Sequence, residues 1–370
     1  FDASGALQWA RNVGGSSAAV FETPAILQVF SNGDLAIAGT FSTSPTTFGV
    51  GSASPQTFTT LGSTDVAIVR LSGTDGLQQW AKRAGGLGAD FVNALLVLPD
   101  NSLALAGTYS NGAMQLGIGE TRQTTLAAPT TINKLYLALL GGGDGSLRWA
   151  KTVGGLATNA VSGLTILGGG DLGIAGTFTS PTEIFGPGEA METTLTNIGA
   201  FGSSDVYVAK YARADGDLIW AKSGGGANTE AVHAFTALTN GSAMLVGTFQ
   251  PPSATFGLGE PGEVTLNNAD PSGTNTDFFF ARFHGGGVEA PVAPLVTLLA
   301  PSGLSSSTLT FNAAIDSRGQ DTTLFVEYGP TTSYGSTGTM SPVFAGLITE
   351  NRAFTLTGLA PLTTLHFRVS

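Results

Sequence analysis

WARNVGG (9–15), WAKRAGG (80–86), WAKTVGG (149–155) and WAKSGGG (220–226) are four versions of one heptapeptide, set 71, 69 and 71 residues apart in a chain of 370. They contain every tryptophan of the chain. Two further markers keep step with them. Gly-Thr-Phe/Tyr begins at Gly39, Gly107, Gly176 and Gly247, and Phe/Leu-Gly-x-Gly begins at Phe48, Leu116, Phe185 and Phe256. Self-similarity at a fixed period of this kind is the mark of a repeat architecture in which each unit buries its apolar face against the next.

Residues 91–152 show what one unit contains. FVNALLVLP and LALAGTYS are apolar runs of strand length separated by the turn Asp100-Asn101-Ser102, and LYLALL and SLRWAK are separated by Gly141 to Gly145. Asp, Asn and Gly are the residues that tight hairpin turns select, and no stretch has helical periodicity. The expectation is an all-β fold in which a four-stranded antiparallel sheet recurs around an axis, a four-bladed β-propeller over 1–288. First, second and third strands occur four times, the last being FFFARF at 278–283, whereas only three fourth strands follow them. Residues 6–12, ALQWARN, supply the missing one and are expected to close the ring along its last sheet, removing two open edges.

Charges at matching positions suggest cross-strand pairs. Asp65 precedes Lys82, and Asp205 precedes Lys222, by 17 residues each. Asp277 has no such lysine, and Arg11 on the closing strand takes its place. In the second unit Lys134 faces Lys151, which breaks the pattern. Trp9, Trp80, Trp149 and Trp220 are expected to pack one unit on the next.

The composition narrows function more by exclusion than by motif. A formal charge of −11 repels nucleic acid and anionic lipid, and the absence of cysteine excludes disulfides, thiolate metal sites and a cysteine nucleophile. No apolar run reaches the roughly 20 residues a membrane helix needs. His233, His284 and His366 stand in no hydrolase motif. The four insertions between second and third strands, about 42–64, 110–133, 179–204 and 250–276, hold Glu120, Glu183, Glu189, Glu192, Glu260, Glu263 and Asp270 against Arg122 alone. They gather on one face, a candidate acidic binding surface. Glu22, Asp90, Asn159 and Glu230 stand at the entry to the innermost strands, where oxygen ligands from several units form a candidate channel ring for Ca²⁺. Gly85 to Asn93 also fits a calcium-binding nonapeptide, although the corresponding GGLATNAVS and GGANTEAVH do not.

The W-A-K, G-G, G-T-F, F-G and D-V-Y-V-A-K cadence resembles the bacterial β-propeller repeats labelled SBBP, over about residues 1–287. That resemblance implies a secreted or cell-surface bacterial protein and brings no catalytic residues. Past the proline-bearing linker 289–294, residues 295–370 read as a small β-sandwich. VEYGPTTSYG (326–335) and LTGLAPLTT (356–364) resemble bacterial fibronectin type III-like domains, with Leu365 where that family has its corner tyrosine and without the last strand of the sandwich. The sequence reading is therefore a non-catalytic extracellular structural or adhesive module with a surface protein or glycan as partner. Its rivals are a filament subunit assembled by strand complementation and a glycan-binding or glycan-processing propeller.

Overall fold

The computed structural model describes residues 5–11, 26–42, 45–127, 133–154, 160–199, 202–250, 252–260, 262–270, 275–284, 295–316, 323–340 and 350–369. All of its sheets are antiparallel, and among the described residues there is no α-helix. The chain divides into two compact units, Phe1–Gly285 and Gly286–Ser370.

The larger unit repeats one pattern of strands. The first repeat has β1 (Ile26–Val29), β2 (Leu35–Phe41), β3 (Thr46–Phe48), β4 (Gln56–Phe58), β5 (Asp65–Leu71) and β6 (Gln78–Gly86). The second has β7 (Phe91–Val97), β8 (Leu103–Tyr109), β9 (Met114–Leu116), β10 (Thr124–Leu126), β11 (Lys134–Leu140) and β12 (Leu147–Gly154). The third has β13 (Ala160–Ile166), β14 (Leu172–Phe178), β15 (Thr182–Phe185), β16 (Thr193–Thr196), β17 (Asp205–Tyr211) and β18 (Leu218–Gly226). The fourth has β19 (Glu230–Ala237), β20 (Ala243–Phe249), β21 (Ser253–Phe256), β22 (Val264–Asn267) and β23 (Asp277–Phe283).

In the first three repeats the main sheet is a four-stranded meander, β1-β2-β5-β6, β7-β8-β11-β12 and β13-β14-β17-β18, whereas among the described residues the fourth has β19-β20-β23. The insertions, read from sequence as loops, are β-hairpins. Two of them extend the sheet of the preceding repeat: β9 pairs with β6 at Gly85↔Gln115 and Gly86↔Met114, and β21 pairs with β18 from Gly224↔Phe256 to Gly226↔Ala254. The hairpin signal was present as the alternation Thr-Thr-Phe in one strand and Gln-Thr-Phe in the other, but each arm is only three or four residues long.

Successive repeats meet through apolar seams, because each strand of a two-sided sheet sends alternate side chains to opposite faces. Val66 and Ile68 of β5 are buried with Leu103, Leu105, Tyr136 and Ala138 of the next repeat. Leu135 and Leu137 meet Ile174 and Tyr207, and Val206 and Val208 meet Leu245 and Phe279, in the same way. The seams differ in their outer layer. The first is filled by Leu116 and Leu140, the second by Phe185 and Tyr211, the third by Phe256 and Phe283. Between seams β7 packs against β1 and β13, and β13 packs against β19.

The expected ladder between residues 6–12 and the last sheet is not found among the described residues. Residues 5–11 have no strand partner, and β23 pairs with β20 alone. Its Phe278 and Phe280 are 74% and 68% exposed, although their counterparts Val66, Ile68, Leu135, Leu137, Val206 and Val208 are at most 2% exposed. Trp9 nevertheless makes the contact its period requires. Its Nε1 donates to the Gly73 carbonyl at 2.9 Å, as Trp80 donates to Gly142 and Trp149 to Arg213 at 3.0 Å. Each acceptor lies 62 to 64 residues downstream, in the turn after the third strand of the following repeat. Trp220 is buried, and the position matching these acceptors, Gly285, lies outside the described residues.

The smaller unit has β24 (Leu295–Ser302), β25 (Thr308–Asp316), β26 (Phe325–Gly329), β27 (Ser336–Thr339), β28 (Glu350–Thr357) and β29 (His366–Val369). They form two three-stranded sheets, β24-β25-β28 and β27-β26-β29, around Phe311, Ala313, Ile315, Leu324, Val326 and Met340. Leu365 packs partly buried against that core.

The tryptophan bonds give a direct test of the seams. Trp149→Phe keeps a ring in place but leaves the Arg213 carbonyl without its indole donor, and urea unfolding should show a loss of about 1–2 kcal/mol.

Candidate functional site

The acidic insertion residues are placed by the Gly-x-Gly turns that precede them. Gly186 and Gly188 have φ of 61° and 79°, and Gly257 and Gly259 have 69° and 77°, a backbone region open to glycine at little steric cost. The turn aims the next residue, a glutamate, back across the seam. Glu120 Oε1 lies 2.5 Å from Lys82 Nζ on the preceding repeat, while its Oε2 accepts the Leu147 N–H at 2.6 Å. Glu189 likewise bridges Lys151 at 3.2 Å and the Leu218 N–H at 2.5 Å. Glu260 pairs with Lys222.

This overturns the expected pairs Asp65–Lys82, Asp205–Lys222 and Asp277–Arg11. Lys82 lies opposite Ile68 and Lys222 opposite Val208, so equal sequence spacing does not bring either lysine beside its aspartate. Lys151 lies opposite Leu137, not Lys134. Arg11 donates to the Asp75 carbonyl at 2.9 Å, and Asp277 accepts the Ala269 N–H at 2.6 Å.

The remaining acids of the supposed binding face are hydrogen-bonded within their own loops or, for Glu183, buried. Glu192 and Glu263 accept the Gly188 and Gly259 N–H groups at 2.6 and 2.7 Å, closing their own loops, as Gln123 does for Gly119. Asp270 accepts from the Asn275 backbone and side chain at 3.1 and 2.8 Å. Glu183 is buried, accepting from Ser180 Oγ at 3.0 Å. The insertion carboxylates thus serve as seam clamps and loop closures more than as an open acidic surface.

Two of the four strand-entry residues, Asp90 and Glu230, each lie beside an aspartate of the preceding repeat. Asp90 is fully buried at the start of β7 and faces Asp65, fully buried at the start of β5. Glu230 at the start of β19 faces Asp205 at the start of β17, again with both side chains buried. Main-chain N–H groups hold each carboxylate: Leu61 for Asp65, Gly86 for Asp90, Ile198 for Asp205 and Gly226 for Glu230, at 3.0, 2.6, 2.9 and 3.2 Å, with the Ser110 backbone also close to Asp90. The Gly-Gly of the heptapeptide makes this possible. A Cβ on Gly85 would stand 2.4 Å from Asp65 Cγ, and one on Gly225 would stand 2.2 Å from Asp205 Cγ. Glu22 and Asn159 of the expected ring lie outside the described residues. Among the described residues no three acidic or histidine groups gather as metal ligands.

Burial raises all four acids, because desolvation penalises the charged form. Asp90 rises to about 7, with the Asp65 charge adding to the effect, and Glu230 rises to about 9, with Asp205 adding. Asp205 rises to about 6, and Asp65 rises despite the hydrogen bond from Leu61 and the charge of Arg83. Across the seam on the turn side the balance reverses. Although burial opposes it, the Gly73 N–H and the Arg70, Asn32 and Gln79 side chains hold Asp34 down to about 2. Arg70 also donates to Gly142 O at 2.6 Å and lies over the Phe30 ring.

A cleft of about 420 Å³ opens between the first and second repeats, over Leu116 and Leu140 and beside the Lys82–Glu120 clamp and Arg83. His233 Nε2 faces Thr248 Oγ1 at 3.0 Å on an exposed strand, far from the arrangement a nucleophile requires.

No protein-family model matches the chain, and no curated protein matches it.

The clamp and the loop closure predict different costs. Glu120→Ala orphans both Lys82 and the Leu147 N–H and should cost about 1–3 kcal/mol in thermal or urea unfolding, whereas Glu192→Ala, on an exposed loop, should cost less than about 1 kcal/mol.

Proposed function

We propose that the four repeats are the blades of a four-bladed β-propeller closed by the chain's own Trp9 segment, followed by a fibronectin type III-like sandwich. On this reading the protein is a non-catalytic structural or adhesive module of a bacterial surface or secreted protein. One observation carries it: the Lys82–Glu120, Lys151–Glu189 and Lys222–Glu260 clamps recur at every interior seam, each 38 residues apart, so the loop carboxylates are engaged in holding repeats together. A rigid display platform needs that, and a hydrolase needs carboxylates free to meet substrate. The identical reach of Trp9 into the turn of the first repeat supports closure of the ring. No helix among the described residues is long and apolar enough to cross a membrane.

A filament subunit is the second reading, favoured by the exposed Phe278 and Phe280 on a third strand whose outer edge has no partner among the described residues. The interior repeats pair Val69↔Ala81, Ala138↔Ala150 and Ala209↔Ala221, which sets Ala281 opposite Ala10 in a closed ring. In a chain otherwise free of cysteine, Ala10→Cys with Ala281→Cys should oxidise to an intramolecular disulfide. Disulfide-linked dimers would favour strand exchange between copies, and failure to oxidise would remove the closed ring.

Binding without turnover is the functional expectation. On arrays of glycans and cell-surface proteins the chain should retain ligand unchanged; saturable hydrolysis of a glycan that one carboxylate substitution abolishes would establish an enzyme instead.

A further inference from the structure

Two buried acid pairs occupy equivalent places in the molecule. Asp65 and Asp90 lie at the seam of the first and second repeats, and Asp205 and Glu230 at the seam of the third and fourth. In both, the first acid begins the third strand of one repeat and the second stands at the entry to the first strand of the next, Asp90 immediately before β7 and Glu230 at the head of β19. Each acid receives a main-chain N–H on one oxygen, whereas the other oxygens, Asp65 Oδ1, Asp90 Oδ1, Asp205 Oδ1 and Glu230 Oε1, are buried without a hydrogen-bond partner of normal geometry, the Ser110 backbone adding only an electrostatic hold on Asp90. Two ionised carboxylates cannot face each other in a site closed to water without a compensating positive charge.

The surroundings offer little such charge. Around the first pair stand Arg83, with Nε 3.8 Å from Asp65 Oδ2, and the neutral phenols Tyr109 and Tyr136. Around the second, the strands and turns that touch it contribute Gly225, Gly226, Phe249, Phe178, Ile198 and Ser204, none of them charged. At the middle seam the third strand begins with Lys134 in place of an aspartate.

We propose that each pair is closed by one proton shared between its two carboxyl groups, and that loss of these protons as pH rises loosens the first seam and then, at higher pH, the third. A protonated acid supplies the donor that its partner oxygen lacks, and it does so across the boundary between repeats. The pairs are therefore proton-dependent locks between sheets.

The sign of the pH dependence is fixed. In the unfolded chain these carboxyls ionise near pH 4. In the fold Asp90 retains its proton to about 7 and Glu230 to about 9. Between those limits the folded chain binds more protons than the unfolded chain, so stability is full below about pH 4 for these groups and declines as pH rises through 7 and 9.

Thermal unfolding of the full chain from pH 5.5 to 9.5 tests this. The midpoint should fall by roughly 5 °C or more across that range. Asp90→Asn with Glu230→Gln, which keep the shape and supply a permanent donor, should flatten the dependence and leave the variant more stable than the parent at pH 9.5. A flat or rising parent profile, or a double variant with the parental slope, overturns the proposal. So does a gain in midpoint with millimolar Ca²⁺ at pH 8 that the double variant lacks, since that would assign the pairs to a cation. If the double variant does not fold, carboxyl ¹³C titration of the parent decides: at least two Asp or Glu signals still protonated at pH 6 uphold the shared protons, and all signals titrating near pH 4 refute them.

Discussion

The architecture depends on the bare backbone of the two consecutive glycines that end β6 and β18. At Gly85-Gly86 and Gly225-Gly226 the strand has no side chain to hold off its neighbours, so a buried aspartate settles on one residue and the next donates its N–H to an acid of the following repeat. The same glycines are where the hairpins β9 and β21 join the sheet of the repeat before them. A glycine in a strand interior ordinarily weakens it, and here the loss is offset because three different elements approach the backbone at one place. From this junction follow the position of the insertion hairpin, the reach of its glutamate to the lysine of the preceding repeat, and the close fit of the seam behind it.

Much of this order is legible in the amino-acid pattern, and the reasons for success and failure are distinct. The tryptophans mark the fourth strands because an indole that must reach one carbonyl in the next repeat tolerates no slip in register, and the spacing of Trp9, Trp80 and Trp149 to their acceptors shows this. The turn at Asp100-Asn101-Ser102 is readable because Asn101 sits at φ 61°, a region that asparagine and glycine favour. The charge pairs were misread for a geometric reason. A spacing of 17 residues across a hairpin predicts neighbours only when the register is known, and Asp65 and Lys82 are displaced along the ladder by three residues, Lys82 standing opposite Ile68. Its true partner, Glu120, belongs to the next repeat and is aimed by two glycines whose backbone angles no composition rule reports.

The partners of Asp90 and Glu230 were hidden from the sequence for a related reason. Placing Asp90 and Glu230 at strand entrances says which end of the sheet they occupy but not which neighbour they turn toward. That choice is made by the N–H groups of Gly86 and Gly226, which draw each side chain outward to the preceding repeat. Glu183 escaped recognition because it occupies, in β15, the place that Met114 and Ala254 fill with apolar groups elsewhere, so only the fold reveals it as interior. The acidic character of the insertions is real, but most of it is engaged in clamps and loop hydrogen bonds.

Near-identical neighbours carry a hazard for any tandem protein, because a strand that docks on the wrong copy of its partner forms the same hydrogen bonds. The seams described above guard against this through bulk. A repeat bearing Phe185 and Tyr211 delivers two rings to a site that accepts them, and in the first seam, shaped around Leu116 and Leu140, those rings would meet a differently sized wall. Each repeat therefore identifies its successor by volume, as a key identifies its lock, while the backbone ladder remains indifferent. The order of the sheets is written in the side chains least constrained by the repeat itself.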